Sequence, residues 1–362
     1  MIAFLAVLTV FSILILIHET GHFLMAKKMG VKVERFSFGF GPKLLSFKKR
    51  ETEYSICAIP LGGYVKMAGD EPSEKREGKD WEYLSKPPRE RLAIVVSGPL
   101  TNYVFAFLLF SLMFVLGTPA LTTDVGEVMK DFPAYSAGIK QGDKIISIDG
   151  KNIEYWEDLL TEISKATSAK EISLVALRRD KAVNIKLIPK IIETKNIFGQ
   201  NIKVGRLGIT PSGKTINVKT NILEAFYLGA KKTVFLTAFT YKTLWHMVTG
   251  GMSIRESVTG PIGIAGIIGQ AAKMGLIYLI YITAQLNLAI AIFNLLPIPI
   301  LDGGHILFLG LEKIRRKKLH PKLEQIISNI ALSFLIALMI YVSWNDILKN
   351  WDNIITIIKR YI

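Results

Sequence analysis

Four stretches of the chain are continuously apolar over about 20 residues, the length that crosses the hydrocarbon of a bilayer. They run from Met1 to about Met25, from about Leu92 to Leu116, from about Leu276 to Leu296 and from about Ile326 to Trp344. Each predicts a membrane-spanning helix. The first has no positive n-region and no small-residue cleavage site, so it reads as a retained span rather than a signal peptide. Between the first two spans, Val33–Phe40 and Glu53–Met67 alternate in polarity and are rich in aromatic and β-branched residues. Gly39, Gly41-Pro42, Pro60 and Gly62-Gly63 punctuate them, predicting a β-hairpin at, or dipping into, the membrane. Non-helical backbone at that depth needs protein or a water-filled cavity beside it.

Between the second and third spans the pattern changes to that of a small α+β domain. Strands are expected at Val125–Val128, Lys144–Ile148, Ile172–Leu177 and Val183–Leu187, and a helix at Trp156–Lys165. Turns are expected at Ser136-Ala137-Gly138, Gly142-Asp143 and Asp149-Gly150. Ile222–Met247 is amphipathic, with Lys231, Lys232 and Lys242 interrupting its apolar face. It predicts a helix lying on the membrane surface, with a buried soluble helix as the alternative. The expected divisions are therefore 1–117 (two spans and hairpin), 118–210 (outer domain), 211–275 (amphipathic helices) and 276–362 (two spans).

Composition agrees with this pattern. Half of the 362 residues are hydrophobic and only 21% are charged; the mean hydropathy is +0.34. A polytopic membrane protein with a smaller soluble part fits; a disordered, collagenous or coiled-coil chain does not. The net charge of +15 comes without any nucleic-acid-binding motif. Lys27, Lys28, Lys32, Arg35, Lys43, Lys48, Lys49 and Arg50 follow the first span, and Lys313, Arg315, Arg316, Lys317, Lys318 and Lys322 separate the last two. Both loops are thus expected on the cytoplasmic side, with the two termini and residues 118–275 on the other. The single cysteine, Cys57, excludes an internal disulfide and a cysteine-based zinc site.

Candidate chemistry lies within the spans. His18-Glu19-Thr20-Gly21-His22 is H-E-x-x-H. Residues four apart share one helix face, so His18 and His22 can reach one zinc ion while Glu19 serves as acid and base for water and a leaving amine. Ionisable groups in an apolar span are costly and usually functional. A catalytic zinc needs a third protein ligand and an open position. Asp302, in Asn294-Leu295-Leu296-Pro297-Ile298-Pro299-Ile300-Leu301-Asp302-Gly303-Gly304, is the best candidate. His18 and His22 lie about 27 Å along the first span at 1.5 Å per residue, and the third span brings Asp302 to the same side. Pro297 and Pro299 should break the helix and turn Asp302 toward the metal. His305 is a competing ligand. Asn102 and Asn294 are polar groups within spans, suited either to a substrate carbonyl or to interhelical hydrogen bonds.

The H-E-x-x-H of the first span, Ser97-Gly98-Pro99-Leu100-Thr101-Asn102 in the second, Gly260-Pro261-Ile262-Gly263 before the third and N-x-x-P-x-P-x-x-D-G-G ending it resemble the site-2 protease family. The likeness covers essentially the whole chain and is closest to bacterial members with one PDZ domain, of the regulator of sigma-E type. It implies one zinc ion held by His18, His22 and Asp302, with Glu19 as acid/base. It implies a membrane β-hairpin at Phe36–Met67, a PDZ-like outer domain, and location in the bacterial inner membrane. Its implied substrates are single-span membrane proteins, either anti-sigma factors or signal-peptide remnants, with a peptide terminus at the PDZ-like domain. Close relatives carry a further Asn five residues before the match to Asn294; here Ala289 stands there and the nearest Asn is Asn287. A helical substrate must be unwound before it is cut, and an exposed strand edge can hold it by β-addition; Pro60-Leu61-Gly62-Gly63-Tyr64-Val65 is the candidate edge, with Gly62, Gly63 and Tyr64 as its candidate substrate contacts. Two other classes compete: a metal carrier, which would not need Glu19, and a non-catalytic PDZ scaffold.

Overall fold

The computed structural model describes residues 2–71, 77–165, 170–195, 201–253, 257–317 and 320–349. Lys318 and the C-terminus, both used in the charge-based orientation, lie outside the described residues. The chain divides into two compact units. Among the described residues, four helices are long and apolar enough to cross a membrane, one for each of the apolar stretches.

The first unit opens with α1 (Ile2–Lys28), which is apolar around its circumference until the H-E-x-x-H turn. Strands β1 (Val33–Lys49) and β2 (Thr52–Met67) follow. They are longer than polarity alternation alone suggests and are joined by Arg50 in the left-handed conformation. The two are antiparallel partners, but β1 is paired on both sides. Arg35–Phe38 is matched with Glu53–Ile56 and also with Gly63–Lys66, and Leu45–Lys49 with Thr52–Ile56. The last five residues of β2, Gly63–Met67, pair only with β1 among the described residues, so they form an edge. Helix α2 (Pro88–Leu116) starts with Pro88 at its first position, where the missing N–H costs nothing, and carries Pro99 inside.

The second unit holds β3 (Thr118–Leu121), β4 (Val125–Val128), the short α3 (Pro133–Ser136), β5 (Lys144–Ile148), β6 (Lys151–Asn152), α4 (Trp156–Ser164) and β7 (Ile172–Arg178). It continues with β8 (Lys181–Leu187), β9 (Lys190–Lys195), β10 (Asn201–Arg206), β11 (Ile209–Pro211) and β12 (Thr215–Val218). The main sheet has the order β6-β5-β7-β8, and β3-β12, β4-β11 and β9-β10 are separate two-stranded pairs. Asp149-Gly150 and Arg179-Asp180 both take left-handed backbone, as two-residue hairpin turns demand. The core is built from Val125, Ile145, Trp156, Leu159, Leu174 and Leu207.

The chain then forms α5 (Ile222–Val248), α6 (Pro261–Met274), α7 (Leu276–Asn294), α8 (Asp302–Arg315) and α9 (Pro321–Lys349). Ile268 of α6 packs with Val10 and Leu14 of α1 in a cluster that also takes in Leu279 and Ile282 of α7. Asp346 on α9 accepts the backbone N–H groups of Gly260 and Gly263 at 3.1 and 2.8 Å, which caps α6. The G-P-I-G motif is thereby accounted for: a Cβ on Gly260 would stand 2.7 Å from the Asp346 carboxylate.

Candidate metal centre

His18 and His22 project from the same face of α1, ring centroids 4.7 Å apart and nearly edge-on, with Nε2 atoms separated by 3.1 Å. Helix α2 forms the wall behind them. The His22 Nδ1 lies 2.8 Å from the Ile94 carbonyl oxygen. A carbonyl only accepts, so Nδ1 carries the proton and Nε2 keeps its electron pair, as a metal ligand requires. The wall is close because two glycines permit it. A Cβ on Gly21 would stand 2.3 Å from the Ser97 carbonyl oxygen, and one on Gly98 would stand 2.3 Å from His22 Nε2 and 2.9 Å from His18 Cε1. The Thr101 hydroxyl sits between the two helices, 2.7 Å from the Gly98 carbonyl of its own helix and 3.1 Å from that of Ile17.

Asp302 arrives from the other end of the chain. Helix α7 stops at Asn294, the segment with Pro297 and Pro299 turns, and α8 begins at Asp302 itself. Gly303 and Gly304 let this turn close tightly. A Cβ on the first would lie 2.1 Å from the Leu296 carbonyl oxygen, and on the second 2.4 Å from that of Ile298. The carboxylate comes to rest with Oδ2 3.2 Å from His18 Nε2 and Oδ1 3.5 Å from His22 Nε2. All three side chains are largely buried, at 13%, 12% and 15% exposure. Their ligand atoms lie within 4.8 Å of one another.

This donor set fits a divalent metal. Two imidazole nitrogens and a carboxylate converge, and Asp302 Oδ2 is buried without a well-directed hydrogen-bond partner. Three electron-pair donors packed away from water repel one another unless a cation sits among them. The set matches the three-ligand pattern of catalytic zinc, which leaves a fourth position open. His305, the competing ligand, is exposed in the wall of the adjoining cavity and is not part of the cluster.

Glu19 stands beside the histidines and takes a backbone hydrogen bond from Val65 on the sheet edge. A cavity of about 600 Å³ opens at this point, with Glu19, His22, Val65, Met67, Tyr83 and Asp302 in its walls. The buried ion pair of Arg91 on α2 with Glu312 on α8, at 2.7 Å, forms another part of the wall. The other expected site residues fall into different places. Gly63 is close to the catalytic side, since a Cβ there would be 3.5 Å from Glu19 Cγ. Gly62 faces Phe40, and the Tyr64 hydroxyl accepts a hydrogen bond from Arg35 while its ring stacks on Phe40. Asn294 is half-buried at the end of α7, and Asn102 is fully buried against His18; neither lines the cavity. The Ile94 carbonyl and the Val65 N–H act through backbone atoms, so no side-chain pattern announces them. Gly98 has a signal in the Ser97-Gly98-Pro99 motif, but it permits imidazole packing as well as helix approach.

The family model for peptidase family M50 matches residues 6–338, a span that includes His18, Glu19, His22 and Asp302. The chain belongs to peptidase family M50. This M50 peptidase is similar along nearly its whole length to several bacterial proteins. A Clostridium acetobutylicum protein named as a candidate zinc metalloprotease is 37% identical over 338 residues, covering 93% of this chain and 95% of the relative. One of Campylobacter jejuni with the same description is 35% identical over 349 residues, covering 96% and 93%. The Bacillus subtilis regulator of sigma-W protease, RasP, is 29% identical, covering 95% of this chain and 97% of its own. Membership of a peptidase family sets the metal-carrier alternative aside, and in the M50 peptidase the three candidate ligands and Glu19 lie in one place.

Proposed function

We propose that the chain is a zinc-dependent endopeptidase that cleaves single-span membrane proteins within or near the bilayer, in regulated intramembrane proteolysis. The observation that carries this reading is a His18–His22–Asp302 cluster with Glu19 beside it, in which His18, Glu19 and His22 lie on a helix long enough to span. Substrates would be anti-sigma factors or signal-peptide remnants, in keeping with the name of the Bacillus subtilis relative, a regulator of sigma-W protease. His18, His22 and Asp302 would hold zinc, which when bound supplies Lewis-acid activation of water and of the scissile carbonyl. Glu19 takes the proton from the attacking water and passes it to the leaving amine. The Gly63–Met67 edge takes the unwound substrate as an added strand. Residues 118–210 form a PDZ-like domain that filters substrates or binds a peptide terminus; 1–117 and 276–362 supply the site, and 211–275 the outer amphipathic helices. The enzyme sits in the inner membrane with that domain and both termini outside. Full-length protein reconstituted in liposomes with a single-span substrate tests this: cleavage should stop with a zinc chelator and return with added zinc. Cleavage untouched by chelator would refute the reading.

A further inference from the structure

His18 turns Nε2 to the cluster, 3.2 Å from Asp302 Oδ2. A neutral imidazole that gives the Nε2 electron pair to a metal keeps its proton on Nδ1, and that N–H needs an acceptor. For His22 the acceptor is the Ile94 carbonyl. For His18 the group opposite Nδ1 is the Asn102 side-chain amide, with Nδ2 at 3.4 Å. An amide nitrogen only donates. In that orientation Nδ1 would have to accept, and the His18 proton would sit on Nε2, pointing into the metal cluster. The same amide has its one acceptor, Oδ1, buried with no hydrogen-bond partner. The oxygen and nitrogen of an amide have nearly the same shape, and the hydrogen-bond network decides which is which. Half a turn of the Asn102 amide places Oδ1 opposite the Nδ1–H of His18. The orphaned acceptor gains a donor and His18 gains the ligand tautomer, while the amide N–H groups turn to the side that Oδ1 held. The backbone of residue 102 is itself pinned from α7, where Asn287 Nδ2 donates to the Asn102 carbonyl at 3.2 Å. Asn102 and Asn287 are both 0% exposed.

We propose that Asn102 is a positioning residue for the metal centre: its side-chain oxygen accepts the Nδ1 proton of His18 and so holds Nε2 as an electron-pair donor, while Asn287 fixes Asn102 in place. This rests on the metal-dependent reading above but replaces the expectation that Asn102 addresses substrate. It also gives Asn287, out of register with the family's further Asn, a part in the support of the site.

The test measures zinc affinity of the full-length, detergent-purified chain by competition against a chromophoric chelator. Asn102→Leu should weaken zinc binding by about 10- to 100-fold, the usual cost of losing a group behind a metal-ligating histidine. Its turnover should recover as zinc is raised past the weakened Kd. Asn102→Asp, whose carboxylate only accepts, should bind zinc at least as tightly as the wild type. Wild-type zinc affinity in Asn102→Leu, or lost turnover that added zinc does not restore, would overturn the proposal. If Asn102→Leu fails to fold, Asn102→Asp decides: a tenfold or larger loss of affinity there would mean that Asn102 must donate, against the proposal. A wild-type chain that binds no zinc at all would instead bring down the metal-dependent reading itself.

Discussion

At the scale of single residues, the site depends on atoms that are missing as much as on those present. Gly98 leaves the space in which two imidazoles meet. Gly98→Ala would place a methyl 2.3 Å from His22 Nε2, closer than real Cβ contacts come. Both rings must then move off α2, and His22 loses its hold on the Ile94 carbonyl. Metal affinity should fall by tenfold or more while the helical circular dichroism stays that of the wild type; unchanged affinity would show that the rings can shift at little cost. A second residue-scale prediction concerns acid. Asp143 is 1% exposed and receives two hydrogen bonds from Arg178, at 2.8 and 2.7 Å, and one from the Lys140 N–H at 2.8 Å. Burial acts to raise its pKa, but the Arg178 guanidinium and the Lys140 N–H outweigh it and hold the carboxyl below its ordinary value. The lowered folded pKa makes the contribution to stability complete above the unfolded value of about 3.9 and lost as pH falls through the folded one. Hydrogen exchange in β5 and β7 should therefore be steady from neutral pH down to about pH 5 and accelerate, after correction for intrinsic rates, below about pH 4. Arg178→Leu should lower the stability measured by chemical denaturation at pH 7, because it leaves the Asp143 carboxylate without its ion pair. Wild-type stability in Arg178→Leu would mean that water reaches Asp143.

At the scale of elements, the edge of β2 is the part whose chemistry is set by backbone direction. Successive residues of a strand turn their N–H and C=O groups to opposite sides. The Val65 N–H faces Glu19, and that of Met67 is bonded to Asp70 at 3.0 Å rather than to β1. The outward positions are thus Gly63, Val65 and Met67, while Tyr64 belongs to the inward set. Val65→Pro removes the outward donor that Glu19 holds in the free enzyme, so it should slow cleavage of a stably helical substrate by about tenfold, with zinc content unchanged. The loss should shrink when the substrate carries Gly or Pro at the cut site, because unwinding then costs less. Equal rates for Val65→Pro and wild type would show that the substrate is held elsewhere. This distinction could not be read from the chain: polarity alternation marks the strand but not which side is already paired, since β1 and β2 fold against each other in more than one register. Helices were more legible. H-E-x-x-H needs only the helical repeat to place His18 and His22 together, and two prolines mark where α7 must end before Asp302. Asn102 was ambiguous because one polar residue on an apolar helix faces a ligand, a substrate or a neighbour according to how the helix is rotated, and that is fixed by distant contacts such as Gly21 on Ser97.

At the scale of the whole molecule, the residues of the metal centre all belong to one unit, and the other contributes none of them. The pairing of β3 with β12 gives a clean way to test that separation. Leu121 and Thr215 are partners in register, so replacing 122–214 with Asn-Gly should close a hairpin across the gap. If the second unit is the substrate filter proposed above, the shortened enzyme should keep its zinc and cut bulky-ended substrates faster than the full chain does. Loss of all cleavage with zinc retained would mean that this unit does more than filter.

The central claim is that His18, His22 and Asp302 hold the metal and Glu19 moves the proton. Zinc content and turnover, measured side by side on purified Asp302→Ala and Glu19→Gln, test it most directly. Asp302→Ala should lose both, whereas Glu19→Gln should retain one zinc per chain and lose turnover by at least about a hundredfold. Full zinc in Asp302→Ala, or wild-type turnover in Glu19→Gln, would contradict it.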